Sequence, residues 1–357
     1  MRADFLFRHS TWIPVSSIEA TPELEKEYLE TYFSALLPFI FRLFFDKSRY
    51  KMNYFACSIL AARSVRGWGA IGHETVGYVA MKFLSPKALS FVQSSLGSEY
   101  SESLGPAAPW ADDVRFEAAF SWSAPFHFVD AEDNPPTSCS VEQMRDCSSG
   151  TCILSAIANY TARVVDTSLS TEQRQEALKF IDHFIGDIGQ PLHVEAVEVR
   201  GNDINAVCNG ERTNLHAVWD SGIINIFLKA QYSNSAIVWA NALAQRIQTG
   251  EFKSLTSTWL SCSSTTEPVN NRRRSIEDDI NGLVSDATIT PLECPLVWAR
   301  ESNAYDCSFV FSYTGFSDLC TSSYATGAQP IIEEQIAKQG YRLAAWLNVL
   351  FDGSTGL

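Results

Sequence analysis

The sequence is poor in positive charge. Its 357 residues contain 27 lysines and arginines against 41 aspartates and glutamates, a formal net charge of −14. A protein that holds duplex DNA on a basic surface needs the opposite balance, so this class is disfavoured. The balance suits an enzyme that binds phosphate through metal ions, or one that works at acid pH, where some carboxylates are neutral.

Cysteines at a metal-binding spacing are also missing. Nine cysteines are present, but no two of them enclose exactly two residues. This argues against a cysteine-rich zinc site and against a thioredoxin-like motif. Disulfides formed in an oxidising compartment are the better interpretation. The triplet Asn159-Tyr160-Thr161 is an N-glycosylation acceptor sequence, which agrees with secretion.

A long, unbroken apolar run is missing from the first 67 residues. The apolar stretch over residues 32–45 contains Pro38 and Arg42 and is too short for a membrane span. A second methionine, Met52, precedes a short apolar stretch that ends in small residues before Trp68. We therefore interpret the chain as three parts: an extension of the gene model or an anchor over 1–51, a secretory signal peptide over 52–67, and the functional domain over 68–357.

The functional domain is predicted to be mainly α-helical and single, because no linker rich in proline or serine divides it. Apolar residues recur at helical spacing in four segments, which are 74–84, 171–188, 235–247 and 331–351. Ser170 and Gln173 form a capping box before the second segment, and Gly189-Gln190-Pro191 ends it. Residues 121–152 are predicted to be loop-rich, and the charged stretch over 270–284 is predicted to be a surface insert.

Histidines are few and concentrated in ligand-like patterns. Five follow the N-terminal segment, and these are His73, His127, His183, His193 and His216. His183 with Asp187 and His216 with Asp220 are four residues apart, which places each pair on one face of a helix. A single pair of this kind is more often a hydrogen bond than a metal site. Two pairs and the remaining histidines, all in apolar sequence, favour a catalytic zinc site with two or three ions.

Five separated motifs extend this pattern. They are WGAIGH over 68–73, WAD over 110–112, HFVDAEDNPP over 127–136, HFIGDIGQPLH over 183–193 and NLHAVWD over 214–220. In order and approximate spacing they resemble the fungal single-strand-specific zinc nucleases, a family also found in plants. The segment 335–347 resembles the last helix of that family, so the similarity covers residues 68 to about 351.

The resemblance implies a trinuclear zinc cleft in a compact helical domain with disulfide-stabilised loops. The expected ligands are His193, His216 and Asp220 for one ion, Asp112, His127 and His183 for a second, and Trp68 and His73 for a third, with Asp187 bridging the last two. Trp68 would ligate through its α-amino and carbonyl groups. Cleavage before Trp68 would then complete the zinc site by creating the free α-amino group, because a free amine can ligate zinc and a peptide N–H cannot.

The resemblance also implies a mechanism. A hydroxide that bridges two zinc ions would attack phosphorus, with Asp112 and Asp187 holding the ions that activate it. Arg115 would contact the phosphate and neutralise charge in the transition state.

Base recognition is implied by the same resemblance. Phe128 would stack on an unpaired base, with Val199 opposite, and Asp130 would accept a hydrogen bond from the edge of the base. A paired base cannot insert without unpairing. The expected substrates are therefore single-stranded DNA, single-stranded RNA and 3′-nucleotides, and the protein is expected to be a secreted monomer.

Disulfide pairing is a further implication of the resemblance. The expected pairs are Cys139–Cys294 and Cys147–Cys152. Cys307 and Cys320 are additional to the family pattern and are expected to form a third pair. Cys208 and Cys262 have no predicted partner.

Two alternatives are open. A bacterial-type zinc phospholipase C resembles this fold and shares most ligands, but its last ligand is a glutamate where this chain has Asp220. An inactive secreted zinc-binding module is the other alternative. The complete ligand set argues against it, because a decayed site loses ligands first.

Overall fold

The computed structural model describes residues 68–269, 289–313 and 317–357. The predicted extension over 1–51, the predicted signal peptide over 52–67 and the predicted insert over 270–284 lie outside the described residues. The described chain is mainly α-helical with one small antiparallel sheet, which confirms the predicted fold class. In these segments, no helix is both long enough and apolar enough to cross a membrane.

The α-helices are numbered here in chain order. They are α1 Ala70–Met81, α2 Pro86–Leu96, α3 Leu104–Ala107, α4 Trp110–Val114, α5 Gln143–Asp146, α6 Ile153–Val165, α7 Thr171–Asp187, α8 Leu215–Ala217, α9 Ile223–Gln231, α10 Ala236–Gln248, α11 Thr256–Trp259, α12 Glu293–Tyr305 and α13 Ser323–Asp352. Tighter 3₁₀ turns cover Ser98–Tyr100, Ser121–His127, Pro191–Val194 and Glu251–Leu255, and π turns cover Val218–Gly222 and Asp306–Val310.

The sheet is a single hairpin. Strand β1, Asn205–Cys208, pairs with strand β2, Glu211–Asn214, with Asn205 opposite Asn214 and Cys208 opposite Glu211. The two turn residues, Asn209 and Gly210, both have positive φ, as a tight two-residue hairpin turn requires.

Helix α7 begins as the sequence predicts. The hydroxyl of Ser170 accepts a hydrogen bond from the backbone N–H of Gln173 at 3.3 Å, and the side chain of Gln173 accepts one from the backbone N–H of Ser170 at 3.2 Å. Every residue from Ala177 to Asp187 is buried. The C-terminal half of α7 therefore runs through the core, and the polar side chains that it carries there are held away from water.

Two other predicted helices have different limits. Helix α1 begins at Ala70 and not at residue 74, so it includes His73. Helix α13 begins at Ser323 and not at residue 331, and it continues through Pro330. Proline removes one hydrogen bond from a helix interior. That loss is tolerated here because α13 is buried over much of its length and packs against α1 and α7.

The disulfide pairing differs from the prediction. The bonded pairs are Cys139–Cys307, Cys147–Cys152, Cys208–Cys320 and Cys262–Cys294. The predicted pair Cys147–Cys152 is therefore confirmed, whereas Cys139–Cys294 and Cys307–Cys320 are wrong. For Cys139–Cys294 the reason is helix α12, which separates Cys294 in its first turn from Cys307 beyond its last residue by about 20 Å at the usual helical rise. For Cys307–Cys320 the reason is strand β1, where the N–H of Leu319 donates to the carbonyl of Val207 at 2.9 Å and Cys320 bonds to Cys208. The loop with Cys139 lies at one end of α12 and Cys262 lies at the other.

Candidate metal centre

The five histidines of the motifs meet in one buried region with three of the aspartates, which are Asp112, Asp187 and Asp220. Within the described segments, three groups could each hold a metal ion, and these are His73–His183–Asp187, Asp112–His127–His183 and His193–His216–Asp220. The ligand atoms of each group lie within 4.8 Å of one another, and all the side chains are buried. The second and third groups contain the residues that the sequence predicts for two separate ions. The first joins His73 to Asp187, the predicted bridging residue.

Local helix geometry accounts for two of the contacts. Nε2 of His183 lies 3.0 Å from Oδ2 of Asp187 on α7, and Nε2 of His216 lies 3.0 Å from Oδ2 of Asp220, where α8 continues into a π turn. Both pairs are four residues apart, so the sequence-based expectation that their side chains share one helix face is confirmed.

The other ligand candidates come from separate elements. His73 lies on α1, Asp112 on α4, His127 at the end of a 3₁₀ turn and His193 in the 3₁₀ turn that follows α7. The close approach of α1 to α7 depends on Gly186, because a Cβ at that position would lie 2.9 Å from Nδ1 of His73. A glycine is therefore needed where α7 passes the imidazole of His73.

Asp187 is at the centre of the cluster. Its carboxylate oxygens lie 3.1 Å from Nε2 of His73, 3.0 Å from Nδ1 of His127, 3.0 Å from Nε2 of His183 and 3.4 Å from Nδ1 of His193. No part of the Asp187 side chain is exposed. One carboxylate thus contacts members of all three groups.

Backbone carbonyls orient three of the imidazoles. Their Nδ1 atoms pair with carbonyl oxygens, and the pairs are His183 with Ala108 at 2.7 Å, His193 with His127 at 2.8 Å and His216 with Arg200 at 2.7 Å. A carbonyl can only accept, so each Nδ1 must carry the hydrogen. The Nε2 lone pairs are then left to face the cluster, as metal-ligating histidines require.

Many polar atoms of this cluster have no hydrogen-bond partner. The buried atoms without one include both carboxylate oxygens of Asp112, Oδ1 of Asp187, Oδ2 of Asp220, and Nε2 of His73, His127, His193 and His216. Buried polar groups normally have partners. Imidazole nitrogens and carboxylate oxygens are the ligands that zinc takes in catalytic sites, so these residues fit zinc ions.

The pKa values of the histidines follow from their burial. Burial lowers the pKa of His127 to about 4 and also lowers the pKa values of His73 and His193, so these imidazoles are neutral and able to ligate. Burial opposes charge on His183 as well, but the carboxylates of Asp187 and Asp112 raise its pKa to about 9. A metal ion bound between these carboxylates would take the place of that proton.

Two further predicted residues lie beside the ligands. Nη1 of Arg115 is 3.2 Å from Oδ1 of Asp112, and its buried Nε has no hydrogen-bond partner. An anion bound next to Asp112 would give this donor a partner. Trp68 is fully buried, and the N–H of the next residue, Gly69, donates to the carbonyl of Asp220 at 2.7 Å. The first described residue therefore lies close to a predicted zinc ligand.

Two of the predicted base-binding residues, Phe128 and Asp130, both contact Arg200, for which the sequence predicts no role. The guanidinium of Arg200 is 3.7 Å from the centre of the Phe128 ring and forms an ion pair with the Asp130 carboxylate. Val199, the preceding residue, is 47% exposed and has a positive φ of 53°. Nothing in the sequence indicates that the side chain of Arg200 folds back onto Phe128.

Gln190 is a second residue at the site for which the sequence predicts no role. It is fully buried, its Nε2 donates to Oδ1 of Asp220 at 2.6 Å, and its Oε1 accepts from the N–H of Leu192 at 2.6 Å. It therefore holds a predicted zinc ligand in place. Its position in the motif that ends at His193 was the available signal.

This helical fold, with clustered buried histidines and aspartates next to an arginine, defines the class of proteins that bind metal ions through histidine and aspartate side chains. The family model for the S1/P1 nucleases matches residues 68–352, and the chain belongs to this family. The predicted family and its nuclease class are thereby confirmed.

Similar proteins come from fungi and plants. Nuclease P1 of Penicillium citrinum is 42% identical over 285 residues, which cover 79% of this chain and 97% of that protein. Nuclease S1 of Aspergillus oryzae is 38% identical over 299 residues, 83% of this chain and 96% of that protein. Endonuclease 2 of Arabidopsis thaliana is 30% identical over 304 residues, 82% of this chain and 93% of that protein.

Proposed function

We propose that this protein is a secreted, zinc-dependent phosphoesterase that cuts single-stranded DNA and RNA internally and releases phosphate from 3′-nucleotides. The observation that carries the proposal is the convergence of three buried histidine–aspartate groups, in which several candidate ligand atoms have no hydrogen-bond partner. The names of the similar proteins, which are nucleases and endonucleases, support the same class of substrate.

Three zinc ions would share the cluster. His193, His216 and Asp220 would hold one, and the remaining ligands would hold two others, with Asp187 common to both. Trp68 would add its α-amino group after cleavage of the bond that precedes it. Bound zinc ions supply a water molecule of lowered pKa for attack on phosphorus. Asp112 and Asp187 would act by keeping those ions at a fixed spacing.

Arg115 would bind the phosphate that is attacked. Its contact with Asp112 keeps the guanidinium next to a metal ligand, and its side chain is only 10% exposed. A buried guanidinium with a free donor is suited to a charged phosphate oxygen, because a charge-assisted hydrogen bond is stronger in a site that excludes water.

Substrate choice would depend on an unpaired base. Phe128 would stack on the base and Asp130 would accept a hydrogen bond from its edge, with Val199 on the other side. Stacking of this kind is tolerant of sequence, since every base has an aromatic face. The net charge of −14 makes a nonspecific basic groove a poor alternative for binding.

Secretion is supported by the cysteines. All eight described cysteines form disulfides, and disulfides persist in oxidising compartments. Asn159 lies in α6, partly exposed, as the proposed glycosylation site. The mature protein would begin at Trp68 and act as a monomer.

The test measures zinc content and activity on secreted protein. We expect N-terminal sequencing to begin at Trp68, elemental analysis to give three zinc ions per chain, and hydrolysis of single-stranded DNA, single-stranded RNA and a 3′-nucleotide, with duplex DNA cut far more slowly. The variant Arg115→Ala should lose activity on all substrates while it keeps its zinc. Arg145→Ala is the matched control, because Arg145 is an exposed arginine that pairs with Asp146.

Two results would contradict the proposal. The first is a secreted protein with a full zinc complement that hydrolyses a phospholipid but no nucleic acid. The second is a protein without zinc, or with zinc and no hydrolase activity, which would leave a binding module as the remaining alternative.

A further inference from the structure

Arg200 occupies the position that the proposed function gives to a base. Its guanidinium lies 3.7 Å from the centre of the Phe128 ring, which is stacking distance. One of its N–H groups donates to the Asp130 carboxylate. Phe128 and Asp130 are therefore both engaged by a side chain of the protein itself.

The guanidinium matches a base in its chemistry. It is planar and delocalised, so it stacks on an aromatic ring, and its N–H groups lie in the plane of the group, where they can reach a carboxylate. An amino group on the edge of a nucleobase would donate to Asp130 in the same manner. A base and the guanidinium cannot both have these two contacts.

The backbone at Arg200 has a fixed, left-handed conformation. Three successive residues before Gly201 have positive φ, which are Glu198 at 47°, Val199 at 53° and Arg200 at 60°. Residues other than glycine are uncommon in this left-handed region, and a β-branched valine there is an outlier. Two hydrogen bonds stabilise this turn. The carbonyl of Arg200 accepts one from His216, and the N–H of Gly201 donates the other to the carbonyl of Val197 at 2.9 Å.

The side chain itself can leave without disturbing the turn. It is 19% exposed and Asp130 is 40% exposed, so the ion pair borders on solvent. Ion pairs and cation–π contacts at such positions are individually weak. The hydrogen bond to His216 involves only the backbone of Arg200, so a rotation of the side chain would leave the metal centre unchanged.

We propose that Arg200 determines substrate specificity by occupying the base site of the free enzyme, so that a base enters only by displacing the guanidinium from Phe128 and Asp130. This rests on the proposed function, because it assumes that the two residues bind a base. Arg200 thereby lowers the affinity for every substrate that is recognised through its base, and it leaves hydrolysis of a base-free phosphate ester unaffected.

The first experiment measures binding without catalysis. Adenosine has a base and no phosphate, and its binding to the zinc-loaded enzyme is measured by titration calorimetry. We expect Arg200→Ala to bind adenosine about tenfold more tightly than the wild type, the order of change expected when two weak contacts no longer need to be broken. Arg200→Lys should fall between them, because lysine keeps the charge but has no planar group to stack. Equal zinc contents would show that the metal centre is intact.

A double variant separates displacement from a general charge effect. In a Phe128→Ala background there is no ring to uncover, so adding Arg200→Ala should give little further gain in adenosine binding. An equal gain with and without Phe128 would overturn the proposal, because it would show that removing a positive charge is sufficient. Weaker binding of adenosine to Arg200→Ala, or no detectable binding to either protein, would also overturn it.

Hydrolysis distinguishes this proposal from the proposed function. The ratio of kcat/KM for deoxyadenosine 3′-phosphate to that for deoxyribose 3-phosphate should rise about tenfold in Arg200→Ala, the same factor as for adenosine binding. An unchanged ratio in an active enzyme would overturn the role of Arg200 alone. If the wild type hydrolyses neither compound, the proposed function fails, and adenosine binding still decides whether Arg200 covers the base site.

Discussion

Nδ1 of His216 pairs with the backbone carbonyl of Arg200 at 2.7 Å, and the side chain of the same arginine lies on Phe128. Arg200 therefore contacts the candidate metal centre through its backbone and the candidate base site through its side chain. Substitutions that keep the left-handed turn should change base recognition alone. Insertions or deletions in this turn should disturb both sites, because the orientation of His216 depends on the carbonyl.

Removal of metal should reduce activity and stability together. The cluster contains buried carboxylate and imidazole atoms without hydrogen-bond partners. A metal ion that binds only to the folded site adds its binding free energy to the stability of the folded state. We expect EDTA to abolish hydrolysis and to lower Tm, with both restored by zinc. An unchanged Tm after zinc loss verified by elemental analysis would contradict a structural contribution from the ions.

Asp187 should hold more zinc than Asp220. Its carboxylate contacts His73, His127 and His183 at 3.0–3.1 Å, whereas the carboxylate of Asp220 lies 3.0 Å from His216 and 3.9 Å from His193. We expect Asp187→Asn to lose about two zinc equivalents and Asp220→Asn about one, because a bridging carboxylate serves two ions.

Asp182→Asn is the control for this comparison, because Asp182 is a buried aspartate on the same helix that belongs to none of the three groups. It should keep its full zinc complement. Equal zinc losses from the Asp187 and Asp220 variants would exclude a bridging role for Asp187.

The long-range disulfides should contribute more stability than the short one. Cys208–Cys320 closes a loop of 112 residues and Cys147–Cys152 one of 5. On chain-entropy grounds, replacing both cysteines by serine should lower the free energy of unfolding by about 5 kcal/mol for the long loop and about 2 kcal/mol for the short one. Denaturant unfolding of the two double variants measures the difference, and peptide mapping checks the pairing. A larger loss from the short loop would contradict the entropic account.

Asp306 should make the protein less stable at neutral pH than at acid pH. Burial raises its pKa well above the usual value, and the nearby carboxylates of Glu195 and Asp133 raise it further. A carboxyl group with a raised pKa contributes stability below about pH 4, and this contribution is lost as the pH rises. We expect Asp306→Asn to raise Tm by several degrees at pH 7, with the gain shrinking towards pH 4.

Asp318 provides a control of opposite sign. Although its slight burial opposes ionisation, the backbone N–H groups of Gly210, Asn209 and Cys320 lower its pKa. Its stabilising contribution is therefore present at neutral pH and is lost as the pH falls. Asp318→Asn should lower Tm at pH 7 and have less effect in acid. If the change in Tm depended on pH in the same way for both variants, the pKa shifts of Asp306 and Asp318 would not be the cause of that dependence.

Contacts between residues close in the chain could be predicted from the sequence. The capping box at Ser170 and the pairs His183–Asp187 and His216–Asp220 all form as expected. Helix geometry explains this, because residues four apart lie on one face whatever surrounds the helix. The short disulfide Cys147–Cys152 belongs to the same category, since only a few residues separate its cysteines.

Contacts between distant residues were decided by the tertiary structure. Helix α12 keeps Cys294 and Cys307 apart, and the packing of the chain around its two ends brings Cys262 to the first and Cys139 to the second, which no spacing in the sequence indicates. The position of Arg200 depends on a left-handed turn that is held by His216. The types of the candidate zinc ligands thus follow from the sequence. Their grouping around Asp187 and the occupied face of Phe128 follow only from how the helices pack, because those contacts join elements that no local periodicity relates.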